Sequence, residues 1–150
     1  MIWDLDGTLI NLKVDWKGLM KARKYDDDWE TIERYELANI DQAEPIRRSV
    51  ECVKELRKRG CRLAICSSNM KITVGRALGI LGIYDYFDFI MSSDTLINKK
   101  PDPEGLVKIA KILGIAKEKI VFIGNSWKDE EAGKRAGIET ILLESLESTR

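Results

Sequence analysis

A chain of 150 residues fits one domain with one core, burying about 68–70% of its unfolded surface, and its Lys plus Arg (25) cancel its Asp plus Glu (25). That neutral balance gives no hint of a nucleic-acid or membrane-surface partner, and no apolar run approaches the ~20 residues that span a bilayer. Histidine is absent, which excludes Ser-His and Cys-His catalysis and imidazole metal ligands and leaves acid–base work to carboxylates or lysine.

The first ten residues, MIWDLDGTLI, read as an apolar strand that stops in a carboxylate pair and leaves through a turn at Gly7. Side chains alternate along a strand, so Asp4 and Asp6 can face one bound group while Leu5 faces away, and Thr8 adds a hydroxyl. Only Met1 to Trp3 precede Asp4, fewer than the usual ~5–6 strand residues, so either the strand is short or further apolar residues come before it. The segment Asn11 to Ile40 is polar with apolar residues at helical spacing, which predicts a helical pair over about 14–24 and 28–40. Asp26, Asp27 and Asp28 point in different directions as consecutive residues and read as a solvated helix start rather than a metal site. Trp16, Trp29 and Tyr35 either pack these helices onto the core or line a contact.

From Glu44 onward Ile46, Val50, Val53 and Leu56 share a helical face, with Pro45 in the first turn and Gly60 at the stop. Cys61 to Cys66 is the short apolar run expected of a strand covered on both faces, and it ends in Ser67, Ser68 and Asn69. There follow a helix over Lys71 to Leu81, a strand over Phe89 to Met91, a polar loop, and a helix over 103–113. A strand over Lys119 to Ile123, the tail GNSWKDE, a helix to Ala136 and a strand over Thr140 to Leu143 complete the chain. This alternation predicts an α/β fold, a three-layer, Rossmann-like, doubly wound parallel sheet whose ligands bind beyond the carboxyl ends of the strands. Cys52, Cys61 and Cys66 show no CxxC spacing and read as reduced, largely buried thiols; with no basic stretch ahead of an apolar one, the expected compartment is the cytoplasm.

Each strand stops at a distinctive polar group: Asp4 and Asp6, then Ser68 and Asn69, then Lys100, then Asn125, Ser126 and Asp129. A parallel sheet gathers those ends on one edge. DLDGTL at Asp4 to Leu9, CSSN at Cys66 to Asn69, KKPDP at Lys99 to Pro103 and GNSWKDEEAGKRAG at Gly124 to Gly137 resemble, in order and context, the four motifs of the haloacid dehalogenase superfamily. The resemblance covers nearly everything except about residues 12–42, and it implies a single domain with its core over 1–11 and 43–150 and a small helical cap inserted over about 12–42.

The resemblance further implies a magnesium-dependent phosphatase that works through an aspartyl-phosphate. Asp4 would be the nucleophile and Asp6 the general acid and base, a role worth typically 10²–10⁴-fold. Ser68, Asn69 and Lys100 would bind the substrate phosphate, and Mg²⁺ would be held by Asp4, the Asp6 carbonyl, Asn125 and Asp129. Asn125 departs from the family pattern, which has an aspartate there; it can still offer a carbonyl oxygen but removes a negative charge. Asp129 either binds metal-bound water or orients Lys100. Asp6 favours phosphoryl transfer over dehalogenation, which needs no leaving-group acid.

A cap this small shades a cleft without sealing it, so either the substrate is large or a second copy of the chain completes the enclosure. Trp127, on a strand-end loop, is a candidate for substrate contact. The expected partner is a phosphorylated small molecule. The alternatives are the same chemistry on a macromolecular substrate, and a weak or inactive phosphate-binding scaffold in which Asn125 has cost the metal site.

Overall fold

The computed structural model describes residues 1–23 and 29–144, without the side chains of Trp16, Ala22 and Arg23. In chain order the elements are β1 (Ile2–Trp3), β2 (Ile10–Asn11), α1 (Trp16–Arg23), α2 (Trp29–Leu37), β3 (Glu44–Pro45), α3 (Arg47–Lys58), β4 (Ala64–Cys66), α4 (Lys71–Leu81), β5 (Phe89–Met91), α5 (Glu104–Leu113), β6 (Val121–Gly124), α6 (Trp127–Ala136) and β7 (Glu139–Leu142). The run Asp26 to Asp28 lies outside the described residues.

Alternation along the strands sorts the core into two layers. Trp3, Ile65 and Ile123 point to one face, where they meet Val50 and Val53 of α3 and Val74, Ala77 and Leu78 of α4. Ile2, Ala64, Cys66 and Phe122 point to the other, against Leu106 and Ile109 of α5 and Ala132 of α6. Helices therefore cover both faces of a parallel sheet ordered β5-β4-β1-β6-β7, as the strand and helix alternation predicts. β1 lies at the centre, with Ile2 and Trp3 in register with Ala64 and Ile65 on one side and with Phe122 and Ile123 on the other. It is short, but the ladder extends past both ends: the Met1 carbonyl accepts from Ala64 N at 3.0 Å, and Asp4 N donates to the Ile123 carbonyl at 2.8 Å.

Two expectations change. Pro45 does not sit in the first turn of a helix; β3 pairs antiparallel with β2, and Pro45 lies opposite Ile10. An edge of a two-stranded ribbon tolerates a residue that cannot donate, whereas α3 starts only at Arg47, after Ile46 N has bonded to the Leu9 carbonyl at 2.9 Å. Cys52 is exposed rather than buried, because it falls on the outer face of α3; Cys61 is half-buried and Cys66 buried, and all three are free thiols.

The β2–β3 ribbon brackets the helical pair α1 and α2. Leu19, Ile32 and Met70 form a small apolar cluster between that pair and the core, with the half-buried Tyr35 against it, while Trp29 is mostly out in solvent. No helix among the described residues is long and apolar enough to cross a membrane.

Candidate active site

Asp4 is the first residue beyond β1, and its side chain is buried, 7% exposed, between the ends of β4 and β6. The chain then doubles back: Gly7 N donates to the Ile10 carbonyl at 2.8 Å and Thr8 N to the Leu5 carbonyl at 3.1 Å. Gly7 takes φ +78°, and a Cβ there would run into the Asn125 amide, so the turn needs glycine for its conformation and for the close approach of β6's tail. Asp6 sits in this turn rather than in the strand, so simple alternation does not set its direction. Its Oδ1 accepts from Leu12 N at 2.9 Å, where the chain heads into the helical pair, and its main-chain carbonyl faces Asn125.

Lys100 is 8% exposed and organises the rest. Its Nζ donates to Asp4 Oδ1 at 2.8 Å, to Asp129 Oδ1 at 2.7 Å and to the Cys66 carbonyl at 3.1 Å, and lies 5.4 Å from the centre of the Phe122 ring. All three ammonium protons are thereby used. The expected convergence of Asp4, Lys100 and Asp129 is present, and the end of β4 joins them through a main-chain carbonyl that no motif spells out.

Asp129 has two jobs at once. While Oδ1 holds Lys100, Oδ2 accepts from Asn125 N at 3.0 Å, Ser126 N at 3.2 Å and Ser126 Oγ at 3.3 Å, forming a capping box at the start of α6. Of its two expected roles, orienting Lys100 is the one these distances display. Gly124 is needed beneath it, since a Cβ there would collide with Asp129.

Thr8, fully buried, donates from Oγ1 to Asp4 Oδ2 at 3.0 Å. Asn69 is buried and its side chain is committed: Nδ2 donates to Glu36 Oε1 at 3.2 Å and Oδ1 accepts from Ser67 Oγ at 3.2 Å. Ser68, between them, is only half-buried. Glu36, Ser67 and the Cys66 carbonyl join the site beyond the residues that the motifs single out. The signal for Glu36 was there, since it lies one helical turn beyond Ile32 on the same stripe of α2. Trp127, expected on a strand-end loop, is instead the first residue of α6, where the Ser126 cap starts the helix earlier, and it is 65% exposed.

Burial pushes the Asp6 carboxyl up to about 6, against the pull of the Leu12 N–H, so near neutrality the group trades its proton readily. Burial raises Asp4 as well, with Lys100 opposing it, whereas for Lys100 burial is outweighed by the neighbouring Asp4 and Asp129 carboxylates, which hold the ammonium charged. The Cys66 thiol is pushed up to about 11 by burial and stays protonated.

Among the described residues no three His, Cys, Asp or Glu side chains converge on a metal position. The donor set that fits magnesium is mixed. One end of the Asn125 amide lies 3.0 Å from Asp4 Oδ2 and 3.3 Å from the Asp6 carbonyl oxygen. With nitrogen at that end the amide donates to both. With oxygen at that end, the Asn125 oxygen faces Asp4 Oδ2 and the Asp6 carbonyl oxygen at those distances, a set of hard oxygen donors of the kind that suits magnesium.

The profile of the haloacid dehalogenase-like hydrolases matches residues 15–143, starting beyond Asp4 and Asp6. Pyrophosphatase PpaX of Halalkalibacterium halodurans is 33% identical over 114 residues, covering 75% of this chain and 53% of its own length. Phosphoglycolate phosphatase of Aquifex aeolicus is 39% identical over 90 residues, 60% of this chain and 42% of its own. The chain thus spans about half the length of these relatives. Among solved structures, a subfamily IA hydrolase of the haloacid dehalogenase superfamily from Geobacter sulfurreducens superposes with TM-score 0.75 at 20% identity, over 94% of this chain and 86% of that one. A hydrolase from Pseudomonas syringae gives 0.76 at 21%, over 94% and 81%. These two share the fold, and the profile extends over most of the sequence whose strand ends meet at Lys100: the chain belongs to the haloacid dehalogenase-like hydrolase family.

Proposed function

We propose that the chain is a magnesium-dependent phosphatase that hydrolyses a small phosphate monoester through an aspartyl-phosphate on Asp4, with residues 12–42 as its cap. The observation that carries this reading is the Lys100 ammonium bonded at once to Asp4, Asp129 and the end of β4. It is a preorganised positive centre beside a buried carboxylate, placed where negative charge develops as phosphorus is attacked. The names of the relatives, a pyrophosphatase and a phosphoglycolate phosphatase, support a small phosphorylated substrate.

An Asp4 oxygen forms a bond to phosphorus as the bond from phosphorus to the leaving oxygen breaks. Asp6, whose carboxyl titrates at about 6, gives its proton to that leaving oxygen. The resulting Asp6 carboxylate then takes a proton from the water that attacks the acyl phosphate, which frees phosphate and restores both aspartates. Ser68 and neighbouring main-chain N–H groups hold a phosphoryl oxygen, Asn69 keeps that loop in shape, and Lys100 offsets the repulsion between Asp4 and a phosphate dianion. Asp4, the Asp6 carbonyl and Asn125, with Asp129 nearby, are the residues that would hold magnesium, which would supply further positive charge against the phosphate. Free thiols fit a cytoplasmic protein.

A second reading rests on Asn125. Its amide can satisfy Asp4 and the Asp6 carbonyl by hydrogen bonds, which suits a non-catalytic phosphate binder that keeps its site closed. Hydrolysis of p-nitrophenyl phosphate with Mg²⁺ by wild type, Asp4→Asn and Asn125→Asp separates the two. Turnover that falls by about 10³-fold or more in Asp4→Asn is expected of the phosphatase. Turnover that survives Asp4→Asn sinks the mechanism, and no turnover in either wild type or Asn125→Asp favours the binder.

A further inference from the structure

The inserted helical pair delivers a carboxylate that the chemistry above does not use. Glu36, in the last turn of α2, is 3% exposed. Its Oε2 accepts from Thr73 Oγ1 at 2.6 Å and from Met70 N at 3.0 Å, and its Oε1 accepts from Asn69 Nδ2 at 3.2 Å and from Met70 N at 3.3 Å. These donors are neutral and lie at the start of α4. Met70 stands in the capping position there but has no side-chain acceptor, so a carboxylate from a different helix does what Asp or Ser does locally elsewhere. The partial positive charge of the helix start favours an anion at that point.

The same carboxylate reaches the phosphate loop. Asn69, held by Glu36 at Nδ2, takes Ser67 Oγ at Oδ1, and Asn69 N donates to Ser67 Oγ at 3.0 Å. These bonds close a tight turn with Ser68 at its tip. Swinging the helical pair away would strip four bonds from Asn69, Met70 and Thr73 and leave buried donors without partners. The apolar cluster directly behind the seat is small, Leu19, Ile32 and Met70 with Tyr35 among the described residues, so this polar seat is a principal tie between α2 and the start of α4.

We propose that Glu36 is a positioning residue through which the helical pair, seated as a brace rather than swinging as a lid, sets the shape of the Ser67–Asn69 loop and so the affinity for phosphate. The phosphate part rests on the phosphatase reading; the loop part does not. Amide hydrogen exchange over residues 67–73, binding of inorganic phosphate in the presence of Mg²⁺, and p-nitrophenyl phosphate kinetics are measured together on wild type, Glu36→Ala, Glu36→Gln and Thr73→Val.

In Glu36→Ala, exchange at Asn69 and Met70 accelerates by about tenfold or more, phosphate binds about tenfold more weakly, and KM rises by more than kcat falls. Glu36→Gln keeps an acceptor oxygen and recovers part of each effect. Thr73→Val removes the 2.6 Å bond from the core side, leaves the helical pair intact, and moves exchange in the same direction. If Glu36→Ala fails to fold, the last two variants carry the test. A lowered melting temperature with exchange over 67–73 and phosphate affinity both at the wild-type level overturns the proposal, because Glu36 would then only stabilise. Faster exchange in a protein that never turns over the ester overturns the phosphatase reading and leaves the brace standing.

Discussion

Asp4 and Glu36 are both buried carboxylates beside the carboxyl ends of the central strands, and they are satisfied in opposite ways. Asp4 shares one ammonium with Asp129, so two negative charges and one positive are enclosed together. Glu36 is met by a main-chain N–H, an amide and a hydroxyl, with no cation among those donors. A charge cluster depends on every member, because removing one leaves the others uncompensated in a poorly solvated place. A carboxylate on a helix start depends on donors that the helix itself fixes. The contrast matches the two roles proposed for them. In the proposed chemistry a reacting carboxylate needs charge balance, and Asp4 has it from Lys100 on Oδ1 while Oδ2 meets only neutral partners, the Thr8 hydroxyl and the Asn125 amide. A bracing carboxylate needs both oxygens occupied.

The contrast breaks most visibly at Lys100. Lys100→Met leaves Asp4 and Asp129 without their cation, and we expect unfolding in urea to show a loss of about 3–5 kcal/mol at pH 7 together with loss of turnover. Lowering the pH lets the stranded Asp4 carboxyl, which burial already raises, take a proton and shrinks the deficit. A variant as stable as wild type at pH 7 would mean that the three groups are not enclosed together.

The next effect lies in Asp6. Its folded carboxyl titrates at about 6 against 3.8 for the ordinary group, so the folded state binds the proton more tightly. Stability from this group is therefore full below about pH 4 and is lost as the pH rises through 6, by up to about 3 kcal/mol. Asp6→Asn has no such loss and gains on wild type between pH 4 and pH 7 while losing phosphatase activity. Parallel stability curves for the two proteins across that range contradict the raised carboxyl.

The smallest effect is at Asn125. In Asn125→Asp a carboxylate faces Asp4 Oδ2 in place of an amide that can donate to it. We expect the metal-free protein to lose about 1–2 kcal/mol and magnesium to bind on the order of tenfold more tightly. Melting curves with and without Mg²⁺ read both changes at once; an unchanged magnesium titration removes Asn125 from the ligand set.

Much of this arrangement is legible without coordinates. Apolar periodicity predicts α4 over Lys71 to Leu81 and β5 over Phe89 to Met91, and the structure has both with those bounds, because long periodic segments bury one face wherever they are placed. Polar groups at successive strand ends announce a shared edge. Pro45 misled because proline suits a helix start and a ribbon edge equally, and only the return of the chain past Leu9 and Ile10 selects the second. Asp6 misled because β1 ends before it, so its direction comes from a turn rather than a pleat.

The sequence by itself determined the α/β layering, the family motifs and the identity of Asp4, Lys100 and Asp129 as members of one edge. These follow from short-range periodicity and from the rule that parallel strands end together. Only the tertiary structure decided that Lys100 ties Asp4 to Asp129 and to a main-chain carbonyl, that the Asn125 amide abuts Gly7, and that Glu36 is buried on the start of α4. The reason is physical: a polar side chain's partner is set by which distant donors arrive within about 3 Å of it, and nothing local in the chain encodes that.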